Sequence, residues 1–473
     1  MSILNSSSVS TRTQTIKKKS RNNWARFTSW ESRDVETSCC NFGPRFFCSS
    51  FDFSRPRMSV RALRPAAKSP ARGALPALPR QGHRRMNSHS GPALARPAAL
   101  DHKDALIDAL RGFAALLVAY FHCRQVVWIG MQAFHQTHGH ALDAGALAAY
   151  LTFPFAWGSA GVPVFFVISG YCIHRGAALK LAAAPGYRLD TLNFWARRFA
   201  RIYPVLLAAL LVTLALDLIS LQVTPVSHKI REIGWMAFAV NLLSLQGIAG
   251  KTYGSNGALW TLSLEVQFYA VYPLWLALRK RIGLMPVVLA VALVNVASAW
   301  LFERHDIQVF TSYWLSWTLG ALIADLRVRR AAGPAPSRGW YLAGAAGIAL
   351  GCVAFRVGQY GAFQLWSIGF ACCLHAAIAR PAPSGAIVRL FAWLGDFSYS
   401  LYLIHLPLFV CFASLLYRSQ LQASIWPSFA FMAVAIPLAW LFYLAVERPA
   451  MRWSASLKPS GGKPRPAAPT LAA

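Results

Sequence analysis

Acidic residues are scarce in this chain of 473: 17 Asp and Glu stand against 47 Lys and Arg. Charge of either sign makes up 14% of the chain, well under the ~25% usual in soluble globular domains. So little charge excludes an ordinary water-facing enzyme of this length. The nine cysteines (Cys39, Cys40, Cys48, Cys123, Cys172, Cys352, Cys372, Cys373, Cys411) form no CxxC pair. That spacing argues against a cysteine zinc ribbon or a dithiol redox motif. Most of them sit in apolar segments and read as small core residues. The first hundred residues hold no long apolar run and therefore no secretory h-region. No internal repeat is visible, which removes the inverted symmetry of many transporters.

What is abundant is hydrophobic length: 56% of the residues are apolar. Continuous apolar candidates lie near 105–127, 153–174, 203–222, 233–248, 258–278, 283–303, 309–326, 340–357, 362–379, 393–417 and 426–446. They predict an all-α integral membrane protein, because a spanning helix needs about 20 apolar residues. They are continuous rather than alternating, which excludes a transmembrane β-barrel. Basic clusters at Arg175–Lys180, Arg188, Arg197-Arg198-Arg201, Arg279-Lys280-Arg281, Arg327-Arg329-Arg330, Arg380/Arg389 and Arg448/Arg452/Lys458 test the count, while the loop 128–152 carries no Lys or Arg. Basic loops stay cytoplasmic. Every cluster falls on that side if 233–248, which is short and holds Asn241, does not fully cross. The expectation is therefore about ten transmembrane helices in the cell (inner) membrane, with both termini cytoplasmic.

The net charge of +30 divides unevenly. Residues 1–85 hold 17 Lys and Arg and 4 Asp and Glu, and most of the rest sits in short loops. Membrane topology accounts for the loop charge, so no nucleic-acid partner is expected. Residues 1–103 read as a disordered basic arm, similar in composition to a transit peptide. Met86 offers a second start, so 1–85 is also readable as sequence upstream of the natural one. Residues 104–449 form the expected membrane domain, and 450–473 a disordered cytoplasmic tail.

Titratable groups inside apolar segments are functional candidates by default. The stretch Asp108-Ala-Leu-Arg-Gly-Phe-Ala-Ala-Leu-Leu-Val-Ala-Tyr-Phe-His122 carries three. Arg111 and His122 are eleven residues apart, hence on one helix face and ~16 Å apart along the axis. On the ten-span topology Arg111 lies in the inner half, with His122 and Glu265 in the outer half. Arg198 and Arg201 stand at the cytoplasmic mouth before Tyr203-Pro204. An inner basic site and an outer His/Glu site suit a reaction that spans the membrane. The plainer alternatives are an i, i+3 ion pair of Arg111 with Asp108, a packing hydrogen bond for His122 and an ion pair of Glu265 with Arg356. Ser169, Gly170 and Gly161 read as close-packing positions; Tyr399 and His405 line a pocket or pack. The outer His135-x-x-His138-x-His140-x-x-Asp143 has metal-capable side chains, but short His-rich loops are more often simply polar.

Several of these segments resemble the membrane-bound acyltransferase 3 family. They are Asp108–Ala115 followed by His122, Gly161-Val-Pro-Val-Phe-Phe-Val-Ile-Ser-Gly-Tyr171, Arg198-Phe-Ala-Arg-Ile-Tyr-Pro204, Leu259-Trp-Thr-Leu-Ser-Leu-Glu-Val-Gln-Phe-Tyr269, Gly395-Asp-Phe-Ser-Tyr-Ser-Leu-Tyr-Leu-Ile-His405 and Val446-Glu-Arg-Pro449. Singly each is weak; in order they cover nearly all of 105–449. Tyr171 replaces the usual phenylalanine. The resemblance implies an O-acyltransferase that moves an acyl group, acetyl first among candidates, from cytoplasmic acyl-CoA as co-substrate. The acceptor is a hydroxyl of a carbohydrate, lipid or small molecule at the extracytoplasmic face. Some members carry a further C-terminal esterase-like domain, not expected here.

By that resemblance Arg111 and His122 match the family's Arg-x10-His pair, and Arg198 and Arg201 its acyl-CoA-associated motif. His122 is expected to take the acceptor's proton. Glu265 would orient the imidazole or bind the acceptor. Arg111 would hold the pantetheine arm or the developing oxyanion, and Arg198 and Arg201, three apart on one face, the CoA phosphates. No metal is expected; the partners are membrane lipid and a carbohydrate or lipid-linked acceptor. The rival class is a transporter of a polar or acylated solute, with the same Arg/His/Glu set as a proton relay.

Overall fold

The computed structural model describes residues 105–139, 143–329, 336–381 and 385–457, the side chain of Arg304 excepted. The basic arm 1–103 and residues 458–473 lie outside them, as do His140 and Arg330. Among the described residues the chain is all-helical, with two isolated β-bridges and no strand.

Helix α1 (Ala105–Val127) is followed by two short helices, α2 (Gly130–His138) and α3 (Ala144–Leu151), in the loop without Lys or Arg. A 3-10 stretch (Phe153–Ala160) opens α4 (Gly161–Ala183). Helix α5 (Thr191–Ser220) starts where the Asp190 carboxylate accepts the Asn193 amide at 3.1 Å, satisfying one of the free N–H groups of its first turn.

The apolar stretch 233–248 forms only α6 (Trp235–Leu242), eight residues long. That is ~12 Å of helix against ~30 Å of hydrocarbon. Asn241 ends it. Its amide donates to the Ala237 and Lys251 carbonyls at 2.9 and 3.0 Å and its oxygen accepts the Tyr253 amide at 3.1 Å, folding the following loop back against the helix.

Next come α7 (Trp260–Ile282), α8 (Leu284–Phe302), α9 (Trp314–Arg329), α10 (Gly339–Ala354) and α11 (Gln359–Ala377). The Arg279-Lys280-Arg281 run occupies the last turn of α7, where cations meet the free carbonyls. Gly283, at φ 91°, makes the left-handed turn that separates α7 from α8. The apolar run 393–417, read from sequence as one span, is divided. An amphipathic α12 (Ala386–Asp396) lies against α1, and α13 (Ser398–Tyr417) begins after a break at Phe397. Continuous hydrophobicity hid the break. The last elements are α14 (Trp426–Phe442), a π-helical turn (Tyr443–Glu447) and α15 (Arg448–Ser456). Helix α15 overlaps the start of the stretch 450–473 read as a disordered tail. Buried Ala450 and the Ser454 hydroxyl, which donates to the Arg197 carbonyl at 2.7 Å, hold it to α5.

Among the described residues six helices are long and apolar enough to cross a membrane: α1, the run through α4, α5, α8, α13 and the run from α14. The surface pattern agrees. On α8, Leu289, Leu293, Val296 and Trp300 are each more than 60% exposed, an outward apolar stripe at helical spacing that water would not tolerate. This is a multi-pass membrane protein.

Helix α13 is the central strut. Of its apolar window 78% is buried, against 22% for the run from α14, and it packs on α1, α5 and α14. Helices α4 and α9 touch backbone to backbone. A Cβ on Gly170 would stand 1.9 Å from the Trp317 carbonyl oxygen, and one on Gly320 1.9 Å from that of Val167. Small residues at such crossings let helices approach where no hydrophobic force drives them together. This contact fixes α4, which carries Ser169 and Cys172 into the site.

Candidate active site

A cavity of about 190 Å³ opens between α1, α4, α5, α7 and α13. Its polar lining is Arg111, Ser169, Cys172, Arg198, Arg201, Thr261, Glu265, Tyr269, Ser398, Tyr399 and Tyr402. Four of the residues singled out in the sequence thus meet around one space: Arg111, Arg198, Arg201 and Glu265. His122 does not line it.

Glu265 is held from two sides. Its Oε1 accepts the Ser169 hydroxyl at 3.2 Å and the hydroxyl of Tyr269, one turn along α7. The ion pair with Arg356 considered for it is replaced by these bonds. Ser169 is therefore part of the cavity wall and not just a packing position. Gly170 and Gly161 do pack closely against neighbouring backbone. The Arg198 guanidinium lies over the rings of Phe194 and Tyr269, 5.5 and 5.6 Å from their centroids. Its Nε is buried with no hydrogen-bond partner among the described residues, as is the Tyr399 hydroxyl. Arg111 keeps the expected i, i+3 ion pair with Asp108, at 3.8 Å.

A second cavity, about 510 Å³, shares Cys172, Ile173, Arg198 and Arg201 with the first. It adds Lys180, Tyr187, Asp190, Asn193, Arg197, Tyr272 and Ser454. The two spaces meet at the paired arginines. The larger is rich in cationic side chains; the smaller leads to Glu265. Cys172, read from sequence as a small core residue, is exposed and lines both.

Behind the larger cavity stands a buried ionic cluster that joins α4, α7 and α9. The Arg279 guanidinium grips Asp325 through Nε at 2.9 Å and Nη2 at 2.6 Å. His174 Nε2 lies 3.2 Å from the same carboxylate, and its Nδ1 is 3.1 Å from the hydroxyl of Tyr272. Arg279, counted in the sequence as loop charge, is thus committed to a partner.

Sequence reasoning gave Glu447 no role. The π turn, one residue wider than an α turn, places its side chain inside, 1% exposed. One carboxylate oxygen takes both the amide and the hydroxyl of Ser400, at 3.1 and 2.6 Å, and the charges of Arg201 and Arg111 act on it. Hydrogen bonds to charged groups contribute about 1.5–3 kcal/mol each. Glu447→Ala should therefore lower stability by about 2–3 kcal/mol, seen as an earlier unfolding midpoint in detergent; an unchanged midpoint would remove this strut.

His122 sits toward the far end of α1. Its Nδ1 is 2.8 Å from Nε2 of His405, and the two rings are nearly parallel, at 12°, with centroids 5.1 Å apart. Lys229, in the loop before α6, is a further charge acting on it. Tyr399, half-buried, lines the cavity as one of its two readings had it; His405 pairs with His122 instead. In the outer loop His138 Nε2 meets Asp143 at 3.0 Å, while His135 faces the Tyr150 hydroxyl at 3.4 Å. The Ala146 amide, which donates to the Asp143 carboxylate at 2.7 Å, holds that carboxyl below its usual range. Among the described residues no three His, Cys, Asp or Glu gather as a metal site.

A membrane-embedded cavity with a carboxylate, converging arginines and a cationic antechamber fits an integral membrane group-transfer enzyme. Residues 104–444 match the family model for the acyltransferase 3 type, described as an acyltransferase domain; the chain belongs to that family and is an acyltransferase. It is similar to acyltransferase MdmB of Streptomyces mycarofaciens, 26% identical over 406 residues, 76% of this chain and 95% of that protein. It also resembles O-acetyltransferase OatA of Staphylococcus aureus (strain NCTC 8325 / PS 47), 32% identical over 126 residues. That match covers 25% of this chain and only 20% of OatA. Protein 2 in the picA locus of Rhizobium radiobacter is 30% identical over 210 residues, 41% of this chain and 94% of that protein. No solved structure matches the chain.

Proposed function

We propose that the protein takes an acyl group, acetyl first among candidates, from acyl-CoA at the cytoplasmic face. It passes that group to a hydroxyl on a carbohydrate, lipid or small molecule at the other face. The observation that carries this reading is the junction of the two cavities at Arg198 and Arg201. A nucleotide thioester needs phosphate-binding cations at one end and a narrow path for its pantetheine arm at the other. Lys180 and Arg197 add cations to the larger cavity, which suits phosphate recognition. The smaller leads past Arg111 and Glu265.

Arg111 and His122 are ~16 Å apart along α1, a separation that suits Arg111 at the donor's arm and His122 at the acceptor's end. There the acceptor hydroxyl gives its proton to the imidazole as its oxygen attacks the thioester carbonyl. Coenzyme A leaves as the thiol, and the acceptor gains an ester. Glu265, tied to Ser169 and Tyr269, shapes the passage between the ends. Ten spans in the inner membrane with both termini cytoplasmic complete the reading; α6, too short to cross, is consistent with that count.

Inverted membrane vesicles supplied with acyl-labelled acetyl-CoA test it. Label should appear on a glycan, lipid or small hydroxyl compound, and right-side-out vesicles should give none. Solute movement with no covalent label would favour a transporter and overturn the proposal.

A further inference from the structure

The reading of His122 as the base leaves open which of its nitrogens is free, and the answer lies on a different helix. His405 is fully buried in α13. Its Nδ1 is 3.0 Å from the carbonyl oxygen of Leu401, one turn earlier. A carbonyl oxygen only accepts, so Nδ1 of His405 carries a hydrogen. In an uncharged imidazole the other nitrogen is then a bare acceptor. That nitrogen, Nε2, faces Nδ1 of His122 at 2.8 Å. For the bond to form, Nδ1 of His122 must be the donor. Its remaining nitrogen, Nε2, keeps its lone pair, and among the described residues the hydrogen bond of His122 is made through Nδ1.

The opposite polarity would need a charged His405 at a position with no exposure, and burying an unpaired charge is far costlier than burying a neutral ring. The ring is also wedged. Tyr402 lies 5.8 Å from it at 58° and Phe409 5.9 Å at 66°. One backbone carbonyl on α13 thus sets the hydrogen positions of two rings in series.

We infer that His405 is a positioning residue that locks His122 in the Nδ1–H form, so that its Nε2 serves as the base. The inference rests on the catalytic reading of His122. The bond joins residues 283 apart in sequence, so no local motif announces it. The logic is that of any catalytic histidine whose second nitrogen is oriented by another group; here the orienting acceptor is an imidazole, not a carboxylate.

The test compares three variants of the full chain in vesicles with labelled acetyl-CoA. His122→Ala establishes the base. His405→Leu keeps volume but removes the acceptor; His405→Gln puts an amide oxygen near the lost Nε2. His405→Leu should lower kcat on the order of 100-fold while KM for acetyl-CoA moves by less than about threefold. His405→Gln should recover about tenfold of that loss. The inference is overturned if His405→Leu keeps near-normal kcat while His122→Ala is inactive, or if Gln is no better than Leu. An active His122→Ala would overturn the catalytic reading itself, and this inference with it. Should His405→Leu not fold, nitrogen-15 magnetic resonance of histidine-labelled wild type reads the tautomers directly. Both rings are expected as Nδ1–H with bare Nε2, and an Nε2–H form on either one would refute the scheme.

Discussion

His122→Ala should lower the rate of acyl transfer by about 10²–10⁴-fold, the range for losing a general acid–base group, with KM for acyl-CoA nearly unchanged. The split follows from distance. The cavities that we assign to the donor are lined by Arg111, Arg198 and Arg201 and not by His122, so donor binding does not pass through the imidazole. The fold should survive the change. His122 is half-buried, and its hydrogen bond among the described residues is the one to His405, a neutral hydrogen bond that contributes about 1 kcal/mol. Steady-state kinetics with labelled donor checks the split. A tenfold or greater rise in KM with kcat intact would place His122 in donor binding and remove the base from the scheme.

Asp325→Ala should be the most damaging single change to stability, a loss of about 3–5 kcal/mol. Asp325 is 2% exposed, and its two oxygens hold Arg279, 15% exposed, and His174, which is wholly buried. Removing the carboxylate leaves a largely buried guanidinium and a wholly buried imidazole without their shared partner, and the penalty for an uncompensated buried charge exceeds what the pair itself contributed. The damage would spread to donor binding. His174 touches the Tyr272 hydroxyl, and Tyr272 lines the larger cavity. Thermal unfolding in nanodiscs reads the loss, and Asp325→Asn, which keeps the shape and loses the charge, should fall between alanine and wild type. An alanine variant that melts like wild type would show that the cluster carries no net stability.

Charge inside apolar segments made part of the candidate cavity's lining legible. Arg111, Arg198, Arg201 and Glu265 are far apart in sequence, yet each is too costly to leave facing lipid, and the fold gathers all four around one cavity. The partner of Glu265 was also within reach: Tyr269 is four residues on, one helical turn away. What sequence could not show depends on events between distant segments. The His122–His405 pair needs α1 and α13 side by side. Glu447 turns inward only because of a π turn that periodicity does not reveal. The break before α13 is invisible to hydropathy, since Trp393 to Tyr417 reads as one apolar run. Helix α15 was missed for the reverse reason: it is polar, and its packing rests on Ala450 and one hydroxyl.

The central claim is that acyl-CoA is held where the two cavities join. Cys172 lines both cavities beside Arg198 and Arg201, so its thiol can report occupancy. Alkylation by a small maleimide, quantified on the Cys172 peptide by mass spectrometry, should be slowed at least several-fold by coenzyme A in wild type. It should be unaffected by coenzyme A in an Arg198→Ala, Arg201→Ala double variant. Equal labelling of wild-type Cys172 with and without saturating coenzyme A would contradict the account.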